Sequence, residues 1–509
     1  MNKHTKIFLG IILLGVIVVL SIKFLQPGWI EKQQKNTSDA INTKGTIRIG
    51  VDNWIGYFPL CSPKMEDKLR KLGYLLQCVD DQADYESRFQ KLKDGDLQFA
   101  VATIDSYLIN GAKFHYPGTI TAVIDESKGG DAIVARQSVF ADIDALKENP
   151  SKTNASKTKI AFTPASPSEH LLKSVSEHFG LPFTSRHSGW QVETDGSSQA
   201  LKKLQSGKVD VAVLWEPDVS RALASPGIIK LIGTEDTDKL IVDILLVERQ
   251  YSRKYPEAVN SLMQSYFKTL QEYTQQPDEL RNDIKASTNK LDKQQINNML
   301  NGVEWATLTE NRSLWFGNDE NLLDSISIAM GILINNRDFT TNPLPNGDPY
   351  SITNRSFISA LRQTASYTST TKDGKRGFKK LADKEWAHLK KVGTLQLEPI
   401  QFRQGTALMN DGSSQELNKL AKKIQRYPNF RIQVSGHTGL SGDPQENLKL
   451  SSGRAQVVAQ SLVNNFQLDI NQIHAVGYGS SRPLKRLSGE SSRAYKYRLP
   501  RVEITLLTE

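Results

Sequence analysis

Cysteine is almost absent from this chain of 509 residues, which contains only Cys61 and Cys78. These cysteines and the eight histidines show no Cys-x2-Cys or His-x3-His spacing, so the sequence offers no metal-binding motif. In an oxidising compartment we expect the two thiols to pair. The disulfide would close a loop of about seventeen residues, which stabilises a fold by roughly 3 kcal/mol. Two buried free thiols are the alternative.

Catalytic motifs are also absent. No glycine-rich phosphate loop stands between a strand pattern and a helix pattern, and no Gly-x-Ser-x-Gly elbow occurs. His170 and His178 share a helix face, but they lie too far apart along it to hold one metal ion together. The sequence therefore predicts a protein that is not an enzyme and that has no metal site or other cofactor.

Long apolar runs are absent except in residues 7–25, which are interrupted only by glycine, Ser21 and Lys23. At about 1.5 Å per residue, this helix would reach roughly 28 Å, enough to cross a bilayer. Lys3 and Lys6 precede it, which favours a cytoplasmic tail at residues 1–6. We expect a single inner-membrane helix with the bulk of the chain in the periplasm. A cleaved signal peptide is the alternative.

The net charge of +9 does not indicate nucleic acid, because much of the excess lies in residues 372–391 and no DNA- or RNA-reading motif accompanies it. We interpret residues 363–393 as a solvated basic linker and residues 26–44 as a polar tether. The length predicts two or three domains, which we place at residues 45–362 and 394–509.

Strand patterns alternate with helix patterns in residues 45–362, which predicts a mostly parallel α/β sheet. A frame recurs at Leu92 to Gly95 and at Leu204 to Gly207: a helix end, a capping glycine, and a turn into a buried strand. The repeat indicates two similar lobes.

Several segments of this region resemble periplasmic substrate-binding proteins of the nitrate/taurine/sulfonate type, the solute receptors of ABC importers. The matching segments include IRIGVDNWIGYFPL at residues 47–60, VIDESKGGDAIVA at residues 123–135 and LQSGKVDVAVLWEP at residues 204–217. The resemblance implies two α/β lobes joined by a two-strand hinge, with a small solute trapped between the lobes.

Candidate ligand-binding residues follow the predicted strands, since ligands sit beyond the carboxyl ends of strands in open α/β sheets. They are mostly carboxylates, aromatics and hydroxyls, with no lysine or arginine, so we favour a neutral or cationic solute. The candidates are Asp52, Trp54, Tyr57, Thr103, Asp105, Asp125, Ser127, Asp131, Ser166, Ser168, Trp215 and Glu216.

Residues 434–458, VSGHTGLSGDPQENLKLSSGRAQVV, resemble the OmpA/MotB-like peptidoglycan-binding domain. The resemblance implies that an aspartate and an arginine hold the diaminopimelate of a peptidoglycan stem peptide. Arg454 stands at the arginine position, but Gly439 replaces the aspartate, which weakens the expected binding. Asp443, in the same turn, is a conceivable substitute. The candidate peptidoglycan-binding residues are His437, Asn447, Arg454 and Arg501.

The sequence thus predicts a bilobal periplasmic-binding-protein fold followed by an α+β OmpA-like domain, behind one membrane helix. We expect a non-enzymatic protein of the cell envelope that couples solute binding to the cell wall, either as a sensor or as the tethered receptor of an ABC permease. The alternative is a structural linker from membrane to peptidoglycan, whose lobes bind an envelope protein.

Overall fold

The computed structural model describes residues 43–148, 158–181, 189–288, 291–318, 320–361, 377–410 and 412–509. The predicted tail at residues 1–6, the predicted span at residues 7–25 and most of the tether lie outside the described residues. Within the described ranges, no helix combines the length and the apolar character that crossing a bilayer requires.

The strands of the described residues belong to three sheets. In chain order they are β1 (Gly45–Val51), β2 (Tyr74–Asp80), β3 (Phe99–Thr103), β4 (Gly118–Ser127), β5 (Asp131–Arg136), β6 (Ile160–Phe162), β7 (Gln191–Glu193), β8 (Val211–Trp215), β9 (Ile228–Gly233), β10 (Val242–Glu248), β11 (Val303–Trp305), β12 (Lys390–Thr394), β13 (Arg431–His437), β14 (Ile473–Gly477) and β15 (Arg501–Thr508).

Helices cover the faces of these sheets. In chain order they are α1 (Pro63–Lys71), α2 (Tyr85–Asp94), α3 (Ile104–Ala112), α4 (Ile143–Glu148), α5 (Pro167–Phe179), α6 (Ser197–Gln205), α7 (Asp218–Leu223), α8 (Arg249–Lys254), α9 (Pro256–Gln275), α10 (Pro277–Ser287), α11 (Lys293–Asn301), α12 (Leu308–Glu310), α13 (Asn321–Asn335), α14 (Ser356–Ala360), α15 (Asp383–His388), α16 (Ser413–Gln425), α17 (Pro444–Phe466) and α18 (Ser492–Arg498). Short 3-10 turns at Ile55–Cys61 and Thr234–Asp236 matter below.

The first lobe is built on a six-stranded sheet in the order β11-β4-β10-β3-β1-β2. Ile47 and Ile49 of β1 are fully buried, as their alternation predicts. Strands β1, β2 and β3 are parallel, whereas β10 runs antiparallel between β3 and β4. The sheet is therefore mixed, which corrects the expectation of a mostly parallel one.

The second lobe is built on a five-stranded sheet in the order β7-β6-β8-β5-β9. The chain enters this lobe between β4 and β5 and returns to the first lobe between β9 and β10. These two passages form a double crossover, as the sequence predicts. We call residues 128–130 the first crossover and residues 234–241 the second crossover.

The repeated glycine frame occupies equivalent places in the two lobes. Gly95 and Gly207 follow α2 and α6 with φ angles of 81° and 72°, a left-handed backbone that favours glycine. Leu92 and Leu204 are buried just before them, and β3 and β8 follow. The repeat predicted two similar lobes, and that prediction is confirmed.

The two cysteines are paired. Cys61 ends the 3-10 turn after β1, and Cys78 lies in β2, the strand beside β1. Their sulfur atoms form a disulfide across a Cα–Cα distance of 6.1 Å, which confirms the predicted bridge. The bond ties the loop that follows β1 to the edge strand of the sheet.

The C-terminal domain is an α+β unit with strand order β12-β15-β13-β14. Strand β12 pairs with β15, so this domain begins inside the segment that the sequence predicts as a solvated linker. Arg431 also lies over the rings of Phe378 and Trp386, which packs residues 377–389 onto the same domain. The predicted boundary at residue 394 is therefore too late.

One hydrophobic core continues from the second lobe into the C-terminal domain. Phe179 of α5 packs against the ring of Tyr427, with ring centroids 5.7 Å apart, and Tyr427 is fully buried. A Cβ atom at Gly393 would lie 2.8 Å from the Phe179 ring, so β12 passes directly over this ring. The two domains therefore share buried apolar surface.

Candidate functional site

A cavity lies between the two lobes, with an empty volume of ≈430 Å³ that includes space open to solvent. The first lobe and the second crossover contribute most of its walls, and the second lobe contributes the rest. The lining residues are Asp52, Asn53, Trp54, Tyr57, Ala83, Tyr85, Thr103, Ile241 and Asp243 from the first side, and Asp131, Ser166, Pro167 and Trp215 from the second lobe.

Strand ends explain why these side chains meet. Asp52 follows β1, Thr103 ends β3, and Trp215 ends β8, so each stands at the carboxyl edge of its sheet. Asp131 instead begins β5, and Asp243 is the second residue of β10. Both strands run antiparallel to their neighbours and so start at that same edge.

Asp52 is held by a buried arginine. The Arg88 guanidinium lies 3.0 Å from Asp52 and 2.5 Å from Asp81, and it also donates to the carbonyl of Val101 at 2.6 Å. Arg88 is fully buried. Its charge is therefore committed to Asp52 and Asp81 and is not available to a solute.

Two further carboxyl groups, those of Asp125 and Asp243, bind the polar atoms of the aromatic residues Trp54 and Tyr57. Trp54 Nε1 donates to Asp125 at 3.1 Å, and the Tyr57 hydroxyl donates to Asp243. Burial raises the pKa of Asp125 to about 7, and burial together with the charge of Asp125 raises the pKa of Asp243. At neutral pH these neighbouring carboxyl groups hold more protons than exposed aspartates would.

Asp131 is the carboxyl group that the second lobe presents to the cavity. Ser127 donates to its Oδ2 at 2.7 Å, and burial raises its pKa to about 7. The Thr234 hydroxyl lies 2.8 Å from the Ser127 hydroxyl and 3.2 Å from the Asp131 backbone nitrogen. Ser127, at the end of β4, and Thr234 of the second crossover therefore hold Asp131 in place.

Glycine at position 130 makes room for the aromatic wall. A Cβ atom there would lie 2.1 Å from the Trp54 ring, so any larger residue would displace the indole. The second glycine of the segment DESKGGD is thus explained by the close approach of the first crossover to Trp54.

Seven of the predicted ligand-binding residues line the cavity: Asp52, Trp54, Tyr57, Thr103, Asp131, Ser166 and Trp215. Asp125 and Ser127 lie behind it and hold Trp54 and Asp131. The remaining three, Asp105, Ser168 and Glu216, are buried but do not line it.

The reasons differ for these three. Ser168 lies inside α5, 3.5 Å from the carbonyl of Val213, and the helix begins two residues earlier than the sequence predicts. Glu216 accepts hydrogen bonds from the Ser220 backbone at 3.1 Å and from the Ser220 hydroxyl at 2.7 Å, so both of its carboxylate oxygens are bound at the start of α7. Asp105 lies in the first turn of α3, 3.4 Å from the Ser106 hydroxyl.

Six lining residues are not among the predicted candidates: Asn53, Ala83, Tyr85, Pro167, Ile241 and Asp243. Tyr85 begins α2 after the loop that follows β2, so the rule of strand ends could have found it. No such rule finds Asp243, because it lies at the start of a strand that was not predicted.

The second candidate site lies at the turn between β13 and α17. Arg454 donates through Nε to the carbonyl of Thr406 at 2.9 Å, and its guanidinium lies 5.0 Å from the ring centre of Phe402. Within the described part of the chain, its two terminal nitrogens have no hydrogen-bond partner. The guanidinium is thus held in place with donors left over.

Glu503 joins two more of the predicted residues. Its carboxylate lies 3.4 Å from His437 Nε2 and accepts a bond from Arg501 Nε at 2.6 Å. Although burial opposes the shift, these two neighbours lower the pKa of Glu503 to about 2. His437 and Arg501 are register partners on β13 and β15, so the sheet pairing brings this group together.

The turn itself has space where the family's aspartate would stand. A Cβ atom at Gly439 would meet no atom within 4 Å. Asn447 donates to the carbonyl of Ser441 at 3.0 Å and so fixes the turn. Asp443 accepts bonds from the backbone of Gln445 and Glu446, which makes it the N-cap of α17 and leaves it poorly suited to replace the missing aspartate.

The C-terminal domain matches a known family. The model of the OmpA family matches residues 401–497. Outer membrane porin F of Pseudomonas aeruginosa is 32% identical over 100 residues, or 20% of this chain and 29% of the porin. The peptidoglycan-associated lipoprotein of Brucella melitensis is 31% identical over 85 residues, or 17% of this chain and 50% of the lipoprotein. The chain therefore spans half or less of these relatives.

Solved structures match the two lobes. The alkanesulfonate-binding protein SsuA from Xanthomonas axonopodis pv. citri is 14% identical, with a TM-score of 0.48, covering 62% of this chain and 99% of that protein. The periplasmic aliphatic sulphonate-binding protein SsuA from Escherichia coli is 18% identical, with a TM-score of 0.46, covering 58% of this chain and 94% of that protein. Within the described residues, a two-lobed α/β region therefore precedes a C-terminal domain that the OmpA family model matches.

Proposed function

We propose that this protein is a solute receptor of the cell envelope, which binds a small molecule between its lobes and is held at the cell wall by its C-terminal domain. The observation that carries the proposal is the cavity between the lobes. Both lobes line it, and the chain crosses twice between them, so closing the lobes would enclose a solute.

Contacts between the lobes support closure around the cavity. Lys173 of the second lobe lies 2.8 Å from Asp338 of the first, in a largely buried ion pair. Asn110 donates to the carbonyl of Ala165 at 3.1 Å near the cavity wall. These bonds would have to break for a solute to enter or leave, so they set part of the cost of opening.

A wall-bound C-terminal domain is supported by its relatives and by its preserved arginine. Several relatives are named as peptidoglycan-associated lipoproteins. Arg454 keeps donors for a carboxylate, whereas Gly439 offers nothing to an ammonium group. We therefore propose weak binding of peptidoglycan, with the stem-peptide carboxylate as the main contact.

Coupling between the two sites is supported by hydrogen bonds at the second crossover. Arg426, at the end of α16, donates to the carbonyl of Asp238 at 2.9 Å and accepts from the Asp238 backbone at 2.9 Å. Asn429 donates to the carbonyl of Glu235 at 2.7 Å. Thr234, the neighbour of Glu235, contacts Asp131 of the cavity. Short links thus connect the C-terminal domain to the solute site.

Further bonds hold the C-terminal domain to the second lobe. His178 Nδ1 lies 2.7 Å from the Tyr427 hydroxyl, and the backbone of Thr394 donates to Asp144 at 3.0 Å. Burial and the charge of nearby basic groups lower the pKa of His178 to about 3, so this histidine is neutral at physiological pH. A domain fixed in this way would move together with the second lobe when the lobes close.

Solute binding is tested by thermal-shift screening of the purified chain against a solute library, because a ligand that binds the folded state raises the melting temperature. Trp215→Ala and Asp131→Ala should each weaken the binding of a hit by about 1–3 kcal/mol without unfolding the protein. If a hit binds both variants as tightly as the wild type, the cavity is not its site. If no solute shifts the melting temperature, the structural linker with a protein partner becomes the better explanation.

Coupling is tested by measuring the affinity for such a hit with and without peptidoglycan sacculi. In the wild type, we expect sacculi to change the affinity by a few-fold, and we expect Arg426→Ala combined with Asn429→Ala to reduce that change. Lys422→Ala is the matched control, since Lys422 is an exposed residue of the same helix. Equal wild-type affinities with and without sacculi would contradict coupling and would leave the two binding sites independent.

A further inference from the structure

We infer that the solute of this cavity is an organic cation of the ammonium type, held between Asp131 of the second lobe and Asp243 of the first and enclosed by aromatic rings. This inference rests on the proposed function, because it concerns the solute that the receptor would bind. It narrows the solute class by the charges and rings that line the cavity.

The charges of the cavity wall favour a cation. Three of the thirteen lining residues are aspartates, and none is lysine, arginine or histidine. The basic group beside Asp52, Arg88, is saturated by Asp52, Asp81 and a backbone carbonyl. A sulfonate or carboxylate ligand would thus face carboxyl groups without a cationic partner, which is costly in a partly desolvated site.

The polar atoms of three aromatic lining residues are bound to aspartates, which leaves their rings to contact a solute. Trp54, Tyr57 and Tyr85 each direct a polar atom at an aspartate of the first lobe: Trp54 Nε1 at Asp125, the Tyr57 hydroxyl at Asp243 and the Tyr85 hydroxyl at Asp52. The faces of such aromatic rings attract ammonium groups by cation–π interaction. With Trp215 on the opposite lobe, Trp54 and Tyr57 can form the walls of a cage, whereas the Tyr85 ring is already in contact with the Arg88 guanidinium at 4.8 Å.

The two carboxyl groups come from opposite lobes. Ser127 donates a hydrogen bond to Oδ2 of Asp131, and within the described residues no partner binds Oδ1 of Asp131. Tyr57 occupies Oδ1 of Asp243. An ammonium group placed between them would be attracted to both lobes at once, so its binding would favour the closed state.

Release of a proton on binding would distinguish a cationic solute from a neutral one. Burial raises the pKa of Asp131 to about 7, so this group is partly protonated in the cavity at neutral pH. A bound ammonium group favours the ionised form and expels the proton. The acidic groups that act on the pair are Asp105 and Glu216 at Asp131, and Asp52, Asp125 and Asp131 at Asp243, while Tyr57 donates to Asp243.

The test is a melting-temperature screen of the full chain against panels of organic ammonium ions, neutral molecules and organic anions of similar size. The panels include the matched set of choline, 3,3-dimethylbutan-1-ol and 3,3-dimethylbutanoate, which share a shape and differ in charge. We expect ammonium ions as hits, each bound at least tenfold more tightly than its neutral isostere, with proton release on titration in two buffers of different ionisation enthalpy.

Asp131→Asn should lower the affinity for the best ammonium hit at least tenfold, and Trp215→Leu should lower it severalfold. Asp94→Asn is the control, because Asp94 is an exposed residue at the end of α2. Hits confined to neutral or anionic molecules would overturn the inference and leave solute binding intact. No hit in any panel would instead count against solute binding itself, and an ammonium hit insensitive to Asp131→Asn would refute the assigned carboxylate.

Discussion

Replacing Gly439 with aspartate should restore the carboxylate that the OmpA-type pattern places in this turn. The change is sterically permitted, because a Cβ atom at this position meets nothing within 4 Å and the backbone is not left-handed. Thr438 anchors the turn by a backbone bond of 2.9 Å to Gly479. The new side chain would therefore enter a turn that is already ordered.

The size of the effect follows from the exposure of the turn. A charge-assisted hydrogen bond to an ammonium group contributes roughly 1.5–3 kcal/mol when buried. Solvent screens this turn, since its tip at Leu440 is 55% exposed, so we expect the lower part of that range or less. A gain of about 1–2 kcal/mol corresponds to roughly 5- to 30-fold tighter binding of peptidoglycan.

The assay is co-sedimentation of the purified chain with peptidoglycan sacculi over a range of protein concentrations. Leu440→Asp is the matched control, because it adds the same charge one residue away. Arg454→Ala should abolish the binding of the wild type and most of that of Gly439→Asp. The reasoning is refuted if Gly439→Asp and the control bind equally, or if wild-type binding survives the loss of Arg454. The module would then use a different surface.

Two further changes test the buried groups of the lobes. Asp131→Asn should raise the melting temperature more at pH 8 than at pH 5. The pKa of Asp131 is higher in the folded protein than in the unfolded chain, so with rising pH the unfolded chain loses the Asp131 proton first. The carboxyl group therefore destabilises the fold progressively between about pH 4 and 7 and fully above that range. An equal effect of the substitution at pH 5 and pH 8 would contradict this linkage. For the disulfide, the mass of non-reduced protein should be two hydrogens lower than that of the reduced chain, and Cys61→Ala with Cys78→Ala should lower the unfolding free energy by about 2–4 kcal/mol. Two alkylatable thiols in the native protein would contradict the pairing.

Local patterns predicted those parts of the fold whose causes are local. Gly95 and Gly207 mark helix ends by a backbone conformation that other residues avoid, so the sequence reveals two equivalent turns. The alternation in β1 reveals a strand, because one face of it is buried. Much of the cavity followed from the same logic, since residues just after parallel strands gather at one sheet edge.

Strand β10 shows what local patterns cannot supply. It runs antiparallel between β3 and β4, and its partners lie more than a hundred residues away in the chain, as in the pairing of Asp243 with Asp125 and Thr103. The apolar run of residues 242–248 does not indicate the direction of β10 or the two strands between which β10 inserts. Asp243 was therefore missed as a cavity residue, although it faces the solute space.

The basic segment before the C-terminal domain was misjudged for a related reason. Lys391 was interpreted as part of a solvated charge run, yet it pairs with Asp144 of the second lobe at 2.6 Å. Gly393 in the same strand passes over Phe179. From sequence alone a charge run is predicted to be solvated, because most charge runs are. The sequence does not show that a carboxylate lies on the facing helix.

The position of this interface decides what the C-terminal domain could sense. Among the described residues, the hydrogen bonds that join it to the rest of the protein go to the second lobe and to the second crossover: at Asp144, Lys147, His178, Glu235 and Asp238. Lobe closure changes the angle between the lobes mainly at the crossovers. A domain fixed to one lobe and to a crossover would therefore turn relative to the first lobe when a solute closes the cavity. Such a rotation needs no long pathway through the protein, because Thr234 contacts Asp131 while the next residue, Glu235, contacts the C-terminal domain.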